Sequence, residues 1–208
     1  MLFMNSLHNE NTWQVTASEY LQDVEGFRSY PTAKPVELSE KDYDLVQWDR
    51  FLIRAADERK LVTEQLSICI ALCARGYSSE GKLTHVGLSH QFLDKVLSEK
   101  FMKAMRKKVG GRIEFFLAGG GADSSPYLQQ IRKVAKGMEN VEIVDDVAQQ
   151  IFKKFSFLLG NRIYTALSRI NQIYFDEQCN PRLHIDFKAT GLSPSQFPEK
   201  LNLKEDPF

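Results

Sequence analysis

Neither sign of charge prevails in this chain of 208 residues: Lys and Arg number 27 together, and so do Asp and Glu. A chain with no net field has no long-range pull toward nucleic acid or anionic lipid, so a specific protein surface is the expected kind of partner. Cysteine is scarce as well. Three residues do not make a disulfide framework, and Cys69 and Cys73, four apart on one extended segment, stand about 13 Å from each other, beyond disulfide reach. Long apolar runs are missing: none approaches the roughly 20 residues that span a bilayer, so no membrane insertion is expected. The first residues, MLFMNSLHNENTW, carry no basic start followed by a sustained apolar segment, so no secretory leader is expected. These absences predict a reducing, cytoplasmic setting. Delivery into a host cell by a leaderless route is the variant that leaves no trace in the sequence. Internal repeats and low-complexity tracts are absent too.

What is present describes one globular unit. Hydrophobic residues make up 43% of the chain and charged residues 26%, ordinary for a protein with a sizeable core. The predicted class is α+β: a layered β-sheet core with flanking helices over residues 49–188. Residues 1–48 read as a helical N-terminal extension that packs on the core or binds a partner. Residues 189–208, with three prolines and no period, read as an irregular tail.

The most informative stretch is residues 63–88, TEQLSICIALCARGYSSEGKLTHVGL. Large apolar side chains occupy Leu66, Ile68, Ile70 and Leu72, and small ones occupy Ser67, Cys69, Ala71 and Cys73. Period two marks a strand with a bulky core face and a second face open to close approach. The segment ARGYSSEGK suits a reversal, and the return strand over 82–88 alternates again, with Leu83, His85 and Gly87 on one face. Paired antiparallel, the two strands set Cys69 beside His85, with Cβ atoms about 5 Å apart where residues oppose directly. A thiol with an imidazole in reach is the minimum for a cysteine nucleophile, because the imidazole accepts the proton or stabilises the thiolate.

Before this hairpin, residues 16–28 read as a short amphipathic helix, with Thr16 and Glu19 at capping-box spacing. Residues 39–49 read as helix and 51–54 as strand. After it, residues 91–108 form the clearest helical pattern, with Phe92, Val96, Phe101 and Met105 in the apolar stripe. Residues 113–118 are a continuous apolar run suited to a central strand. GGGADSSP then leads into a helix with Ser125 as N-cap and Pro126 at its first position, ending near Lys136. Strand, glycines and helix together resemble a phosphate cradle, yet the Lys-Ser/Thr of a P-loop and the G-x-G-x-x-G spacing are both missing. Gly119, Gly120 and Gly121 are expected instead to admit a close backbone approach beside Cys69. Residues 141–144 read as strand, and Asp145-Asp146 as the cap of a helix running to 153 or 157. Gly160-Asn161 either ends a helix or turns a hairpin, and residues 171–175 and 182–187 flank DEQCNP as strand, turn and strand.

In this order of elements the sequence resembles the CheD chemoreceptor glutamine deamidases, whose fold is shared by the catalytic domain of cytotoxic necrotizing factor. The likeness covers residues 51–145 and 170–187. It rests on Thr63 six before Cys69, Cys73 four after it and His85 sixteen after it. It rests also on THVGL, similar to the family's N-H-x-x-L, on FLAGGGA, similar to its F-G-G-x-A, and on IYFDEQCNPRLHIDF, which looks like its closing pair of strands. Ser67-Ile68 stands where the family has Gly-Ser, and Thr84 where it has Asn. The resemblance implies a cysteine hydrolase that converts the side-chain amide of a protein glutamine to an acid through a thioester, releasing ammonia and using no cofactor. It implies Cys69 as nucleophile, His85 as acid and base, and Thr63 as the residue that either orients His85 or polarises the site through its hydroxyl. Ser67, Ile68, Thr84, Gly119, Gly120 and Gly121 would line the oxyanion or substrate site. The implied partners are a protein substrate with an accessible glutamine and a regulatory protein.

Each residue also has a plainer reading. Cys69 alone in an apolar strand is a buried structural thiol, His85 a satisfied core histidine, and Thr63 a β-favouring residue. The scaffold could then serve as a non-catalytic binding module, and the same Cys-His pair could equally support transglutamination or proteolysis. Cys73 is expected to be packing, and His184 and Cys179 surface or packing residues. His85 and His90 sit across a strand end without a C-x-x-C pair or other ligand cluster, so no metal is expected.

Overall fold

The computed structural model describes residues 14–17, 42–66, 68–92, 95–121, 124–146, 154–190 and 204–205. In chain order they form β1 (Gln14–Ala17), β2 (Tyr43–Leu45), β3 (Arg50–Ala55), β4 (Lys60–Glu64), β5 (Ile70–Tyr77), β6 (Leu83–Gln91), α1 (Lys95–Lys108), β7 (Ile113–Gly119), α2 (Ser125–Lys136), β8 (Val141–Asp146), β9 (Lys154–Leu159), β10 (Arg162–Phe175), β11 (Pro181–Thr190) and β12 (Lys204–Glu205). The class is α+β, as the sequence predicts. A five-stranded sheet runs β3-β6-β5-β7-β8. A seven-stranded sheet runs β1-β11-β10-β4-β2, with β9 also paired to β10 and β12 to β9. Among the described residues no helix is long and apolar enough to cross a membrane.

Strand β5 is the centre of the smaller sheet, antiparallel to both β6 and β7. Its two faces do different things. Ile70, Leu72 and Ala74 point to one side, where they join Phe115 and Leu117 of β7 against Phe101, Met102 and Met105 of α1 and Leu128 and Ile131 of α2. Each large side chain fully withdrawn from water there stabilises the fold by about 1.5–3 kcal/mol. The other side of β5 carries Ala71, Cys73 and Arg75, all buried, and faces the larger sheet. Helices, small sheet and large sheet thus make three layers.

The strand that the sequence places over residues 66–74 begins only at Ile70 and runs on to Tyr77. Leu66 is buried, but Ile68, expected in the core, is 45% exposed, because the chain at this point is crossing from β4 in one sheet to β5 in the other. At the far end, the reversal is confined to residues 78–82, where Ser78 N–H bonds Lys82 O at 2.8 Å and Gly81 takes a φ of +83°. Arg75, which resembles a turn residue, is instead inside the ladder. Its guanidinium meets the Glu114 carboxylate at 2.6 Å with both side chains nearly buried, and lies over the Phe116 ring. A paired and stacked charge is tolerated where a lone one is not.

Other elements also depart from the expected ones. The return strand continues past residue 88 to Gln91, so α1 starts at Lys95 rather than 91. The helix expected over 39–49 is absent over its described part, where β2 pairs in parallel with β4. The helix expected from Thr16 does not begin there: Thr16 and Ala17 lie on β1, paired with His184 and Ile185, and residues 18–28 fall outside the described residues. Gly160-Asn161 turns a hairpin between β9 and β10. Asp145 and Asp146, expected to cap a helix, end β8, residues 154–157 lie on β9, and residues 147–153 fall outside the described residues. Two residues of the tail, Lys204 and Glu205, pair with β9.

Candidate functional site

Thr63 comes from β4 in the large sheet and His90 from β6 in the small one. Their side chains meet in the buried layer between, with Thr63 Oγ1 2.7 Å from His90 Nδ1. The same hydroxyl lies 2.8 Å from the carbonyl oxygen of Val46. A hydroxyl has one hydrogen, and a carbonyl oxygen can only accept, so that hydrogen goes to Val46. Nδ1 therefore carries its own hydrogen and donates it to Thr63. This fixes the tautomer: Nε2 of His90 is left with a bare lone pair, and among the described residues this buried atom has no hydrogen-bond partner. Burial also pushes the imidazole below its ordinary pKa, against the opposing pull of the Asp49 carboxylate, so the ring is neutral near pH 7. An imidazole held neutral with one nitrogen unpaired among the described residues is equipped to accept a proton.

Cys69 stands one residue before β5, at the end of the sheet that also holds His90. His90 is paired with Ala71, two positions along from Cys69. On a regular ladder such a diagonal pair lies about 7 Å apart. The backbone of Cys69 is fixed from two sides: its N–H bonds Leu66 O at 2.5 Å, and its carbonyl accepts the Gly120 N–H at 2.8 Å. Gly119 makes this approach possible. At a φ of +84°, a β-carbon on it would fall 2.2 Å from the Cys69 carbonyl oxygen, a position only glycine can occupy. Gly121 lies close enough that its β-carbon would touch Ile68. The glycine turn thus abuts the Cys69 loop.

The thiol is half-buried. Its pKa is raised, first by burial and second by the Asp49 carboxylate. Asp49 itself takes a left-handed φ of +53°, and its Oδ1 accepts the Phe92 N–H at 3.1 Å. One carboxylate therefore acts on both Cys69 and His90, and the resting pair is a thiol and a neutral imidazole rather than a thiolate and an imidazolium. Three large apolar side chains close in sequence to Asp49, His90 and Cys69 are exposed: Trp48, Phe92 and Ile68, at 61%, 40% and 45%. The Trp48 and Phe92 rings meet edge to face at 6.3 Å.

The other expected site residues fall elsewhere. His85 is paired with Gly76, seven positions along β5 from Cys69, or about 23 Å at strand rise. Gly76 faces Val109 and Met105 at the helical layer, so His85 and Cys69 also lie on opposite surfaces of the sheet. The physical reason is register: confining the turn to residues 78–82 slides the two strands past each other relative to the wider turn expected. Thr84 goes with His85, its Oγ1 donating to Gly76 O at 3.1 Å and lying 3.1 Å from His85 Nδ1. Ser67 lies outside the described residues. Neither the Cys69 nor the Gly120 N–H is open for an oxyanion, since both already bond carbonyls. Cys73 is fully buried with its pKa raised well above ordinary by burial, as expected of packing, and His184 and Cys179 are buried too.

Asp49 and Val46 are residues that the sequence did not single out, and His90 was weighed there only as a metal ligand. His90 was visible only as a second histidine after a strand assumed to end at residue 88. Its signal is the alternation Val86, Leu88, His90, which continues the period of β6. A scan against family models finds no match to this chain, and no curated protein matches it.

Proposed function

We propose that the protein is a cysteine-dependent amidohydrolase acting on glutamine side chains of proteins, with Cys69 as nucleophile, His90 as base and acid, and Thr63 as the residue that orients His90. The observation that carries this reading is the bare, buried Nε2 of His90, held in that tautomer by Thr63. The resemblance to the CheD deamidases supports it through Cys69 and Thr63, and His90 takes the part that the spacing gave to His85.

Because the pair rests uncharged, the proton moves as the bond forms. Cys69 sulfur attacks the amide carbon while Nε2 takes the thiol hydrogen; the imidazolium returns that proton to the departing nitrogen, which leaves as ammonia. Water, deprotonated by Nε2, then attacks the thioester carbon, and the thiol is regenerated with glutamate as product. The exposed Trp48, Phe92 and Ile68, each within two residues of Asp49, His90 or Cys69, favour a glutamine carried on a protein over the free amino acid.

A second reading rests on one observation. The raised pKa of Cys69 is the opposite of what a thiolate nucleophile requires, and it favours a binding module whose apolar rim takes a partner without chemistry. Iodoacetamide, itself a small carboxamide, separates the two. Base-assisted attack requires Cys69 alkylation to slow sharply in His90→Ala while His85→Ala leaves it unchanged; equal rates in all three proteins favour the binding module. Peptides holding glutamine beside apolar residues complete the test, with ammonia release and a gain of about one dalton as the positive result.

A further inference from the structure

Away from this site, Lys60 at the start of β4 meets Cys179 in the turn between β10 and β11. Lys60 Nζ is 3.2 Å from Cys179 Sγ, and both groups donate to one carbonyl oxygen, that of Ala56, at 3.0 and 3.3 Å. The sulfur is held rather than carried on a mobile loop. Cys179 has a φ of +60° and bonds Asp176 O through its N–H at 2.9 Å. The Asp176 carboxylate in turn accepts the N–H groups of Gln178 and Asn180 and holds Arg182. At its own end Lys60 is fixed by its N–H on Asp42 O at 3.0 Å. The deamidation chemistry uses neither side chain.

We propose that Lys60 and Cys179 form a covalent N–O–S bridge when the protein is exposed to peroxide. A first hydrogen peroxide transfers one oxygen to the thiol, giving a sulfenic acid and water. Lys60, its ammonium having given a proton to solvent, then joins its nitrogen to that oxygen. A second peroxide takes the sulfenic hydrogen and one amine hydrogen and leaves as two waters. The product, Cys–S–O–NH–Lys, gains one oxygen and loses two hydrogens relative to the reduced pair. Because Cys179 is only 3% exposed, its sulfenic acid sits beside the Lys60 amine with little access for larger thiols. The bridge joins positions 119 apart in the chain, and a closure of that length restricts the unfolded state.

The test is high-resolution mass spectrometry of the full-length protein after peroxide treatment and digestion. A linked pair of peptides containing Lys60 and Cys179 is expected, about 14 Da heavier than the sum of the reduced two, and separable by dithiothreitol. The Tm should rise on oxidation and return on reduction. Lys60→Arg, which keeps the charge, should lose both effects, as should Cys179→Ser. Oxygen on Cys179 alone with Lys60 unlinked, or the same mass shift and Tm rise in Lys60→Arg, overturns the proposal. None of these readouts depends on Cys69 being catalytic.

Discussion

Thr63 and His90, 27 positions apart, join the two sheets through a single contact of 2.7 Å between hydroxyl and imidazole. The direction of that bond is set by a third group, the Val46 carbonyl at 2.8 Å, which consumes the hydroxyl hydrogen. Two interior layers and one loop thereby leave that nitrogen without a partner among the described residues. A buried acceptor without a partner costs about 1–3 kcal/mol, and the proposed proton transfer supplies a reason for that cost to be retained.

Thr63→Val keeps the shape and removes both bonds. Two buried groups, the His90 Nδ1 and the Val46 carbonyl, lose their partner, so stability should fall by about 1–3 kcal/mol for each group left unpaired. With the tautomer no longer fixed, ammonia release should drop roughly 100-fold, the scale of general-base catalysis. Thr63→Ser, which restores the hydroxyl, should recover most of both. Urea denaturation reads the first effect and a coupled ammonia assay the second; a Val variant as active as the wild type removes Thr63 from the mechanism.

His90→Ala and His85→Ala should part completely. The first deletes the proposed base and should reduce ammonia release to that of Cys69→Ala. The second changes a half-buried residue at the other end of β6 and should stay within about 2-fold of wild type, since surface changes away from a site are typically within 0.5 kcal/mol. Loss of activity in His85→Ala with retention in His90→Ala would falsify the register-based assignment.

How far this could be read from the sequence depends on which interaction was local. The class, the apolar run of β7 and the helix α2 follow from short-range patterns and appear in the structure, but α2 is capped at Ser124 rather than Ser125, so Pro126 is its second residue. Thr63, Cys69 and the three glycines were marked by spacing, and the structure brings Cys69 and the glycine turn into contact. His85 was not brought there. A period-two pattern shows which residues share a face but not how far one strand slides on its neighbour. Here the slide was decided by Arg75, whose charge reads as a turn but is neutralised by Glu114, 39 positions away. Val46 and Asp49 were out of reach for the same reason. Residues before Phe51 read as a helix, whereas β2 is held by β4, and its loop supplies a carbonyl and a carboxylate that no local pattern could place.

Gly119→Ala and Gly81→Ala compare a steric with a purely conformational cost. Both glycines have φ near +84°, but nothing lies within 4 Å of a β-carbon at Gly81, whereas one at Gly119 would meet the Cys69 carbonyl oxygen at 2.2 Å. Gly81→Ala should cost about 1–2 kcal/mol, the left-handed penalty alone. Gly119→Ala adds overpacking against backbone, roughly 1–3 kcal/mol more, and should also change the alkylation rate of Cys69. Thermal melts and iodoacetamide labelling test both.

The depressed pKa of His90 predicts an acid limb in stability. The folded protein binds a proton here less readily than the unfolded chain, whose histidine titrates near pH 6.5. Its contribution is fully present above that pH and is lost as the pH falls through the lower, folded value. Urea midpoints should therefore decline below about pH 6.5, more steeply in the wild type than in His90→Gln. Ammonia release should show the same acid limb, because only the neutral ring accepts a proton. An identical decline in His90→Gln would place the titrating group elsewhere.

Asp49→Asn tests the electrostatics of the pair directly. The carboxylate raises the pKa of Cys69 and opposes the lowering of that of His90. Removing its charge should move both values down: the thiol becomes easier to ionise and the imidazole harder to protonate. In the His90→Ala background, where no base assists, alkylation of Cys69 at a fixed pH of about 8 should quicken on removal of the charge, because more of it is thiolate. Asparagine keeps an oxygen for the Phe92 N–H, so the loop geometry should survive and the change can be read as charge alone. The turnover effect then distinguishes two chemistries. If attack depends on ionised sulfur, ammonia release rises with alkylation. If His90 removes the proton during attack, a less basic imidazole and a less nucleophilic thiolate offset the gain, and turnover stays level or falls while alkylation rises. The neutral resting pair predicts the second outcome.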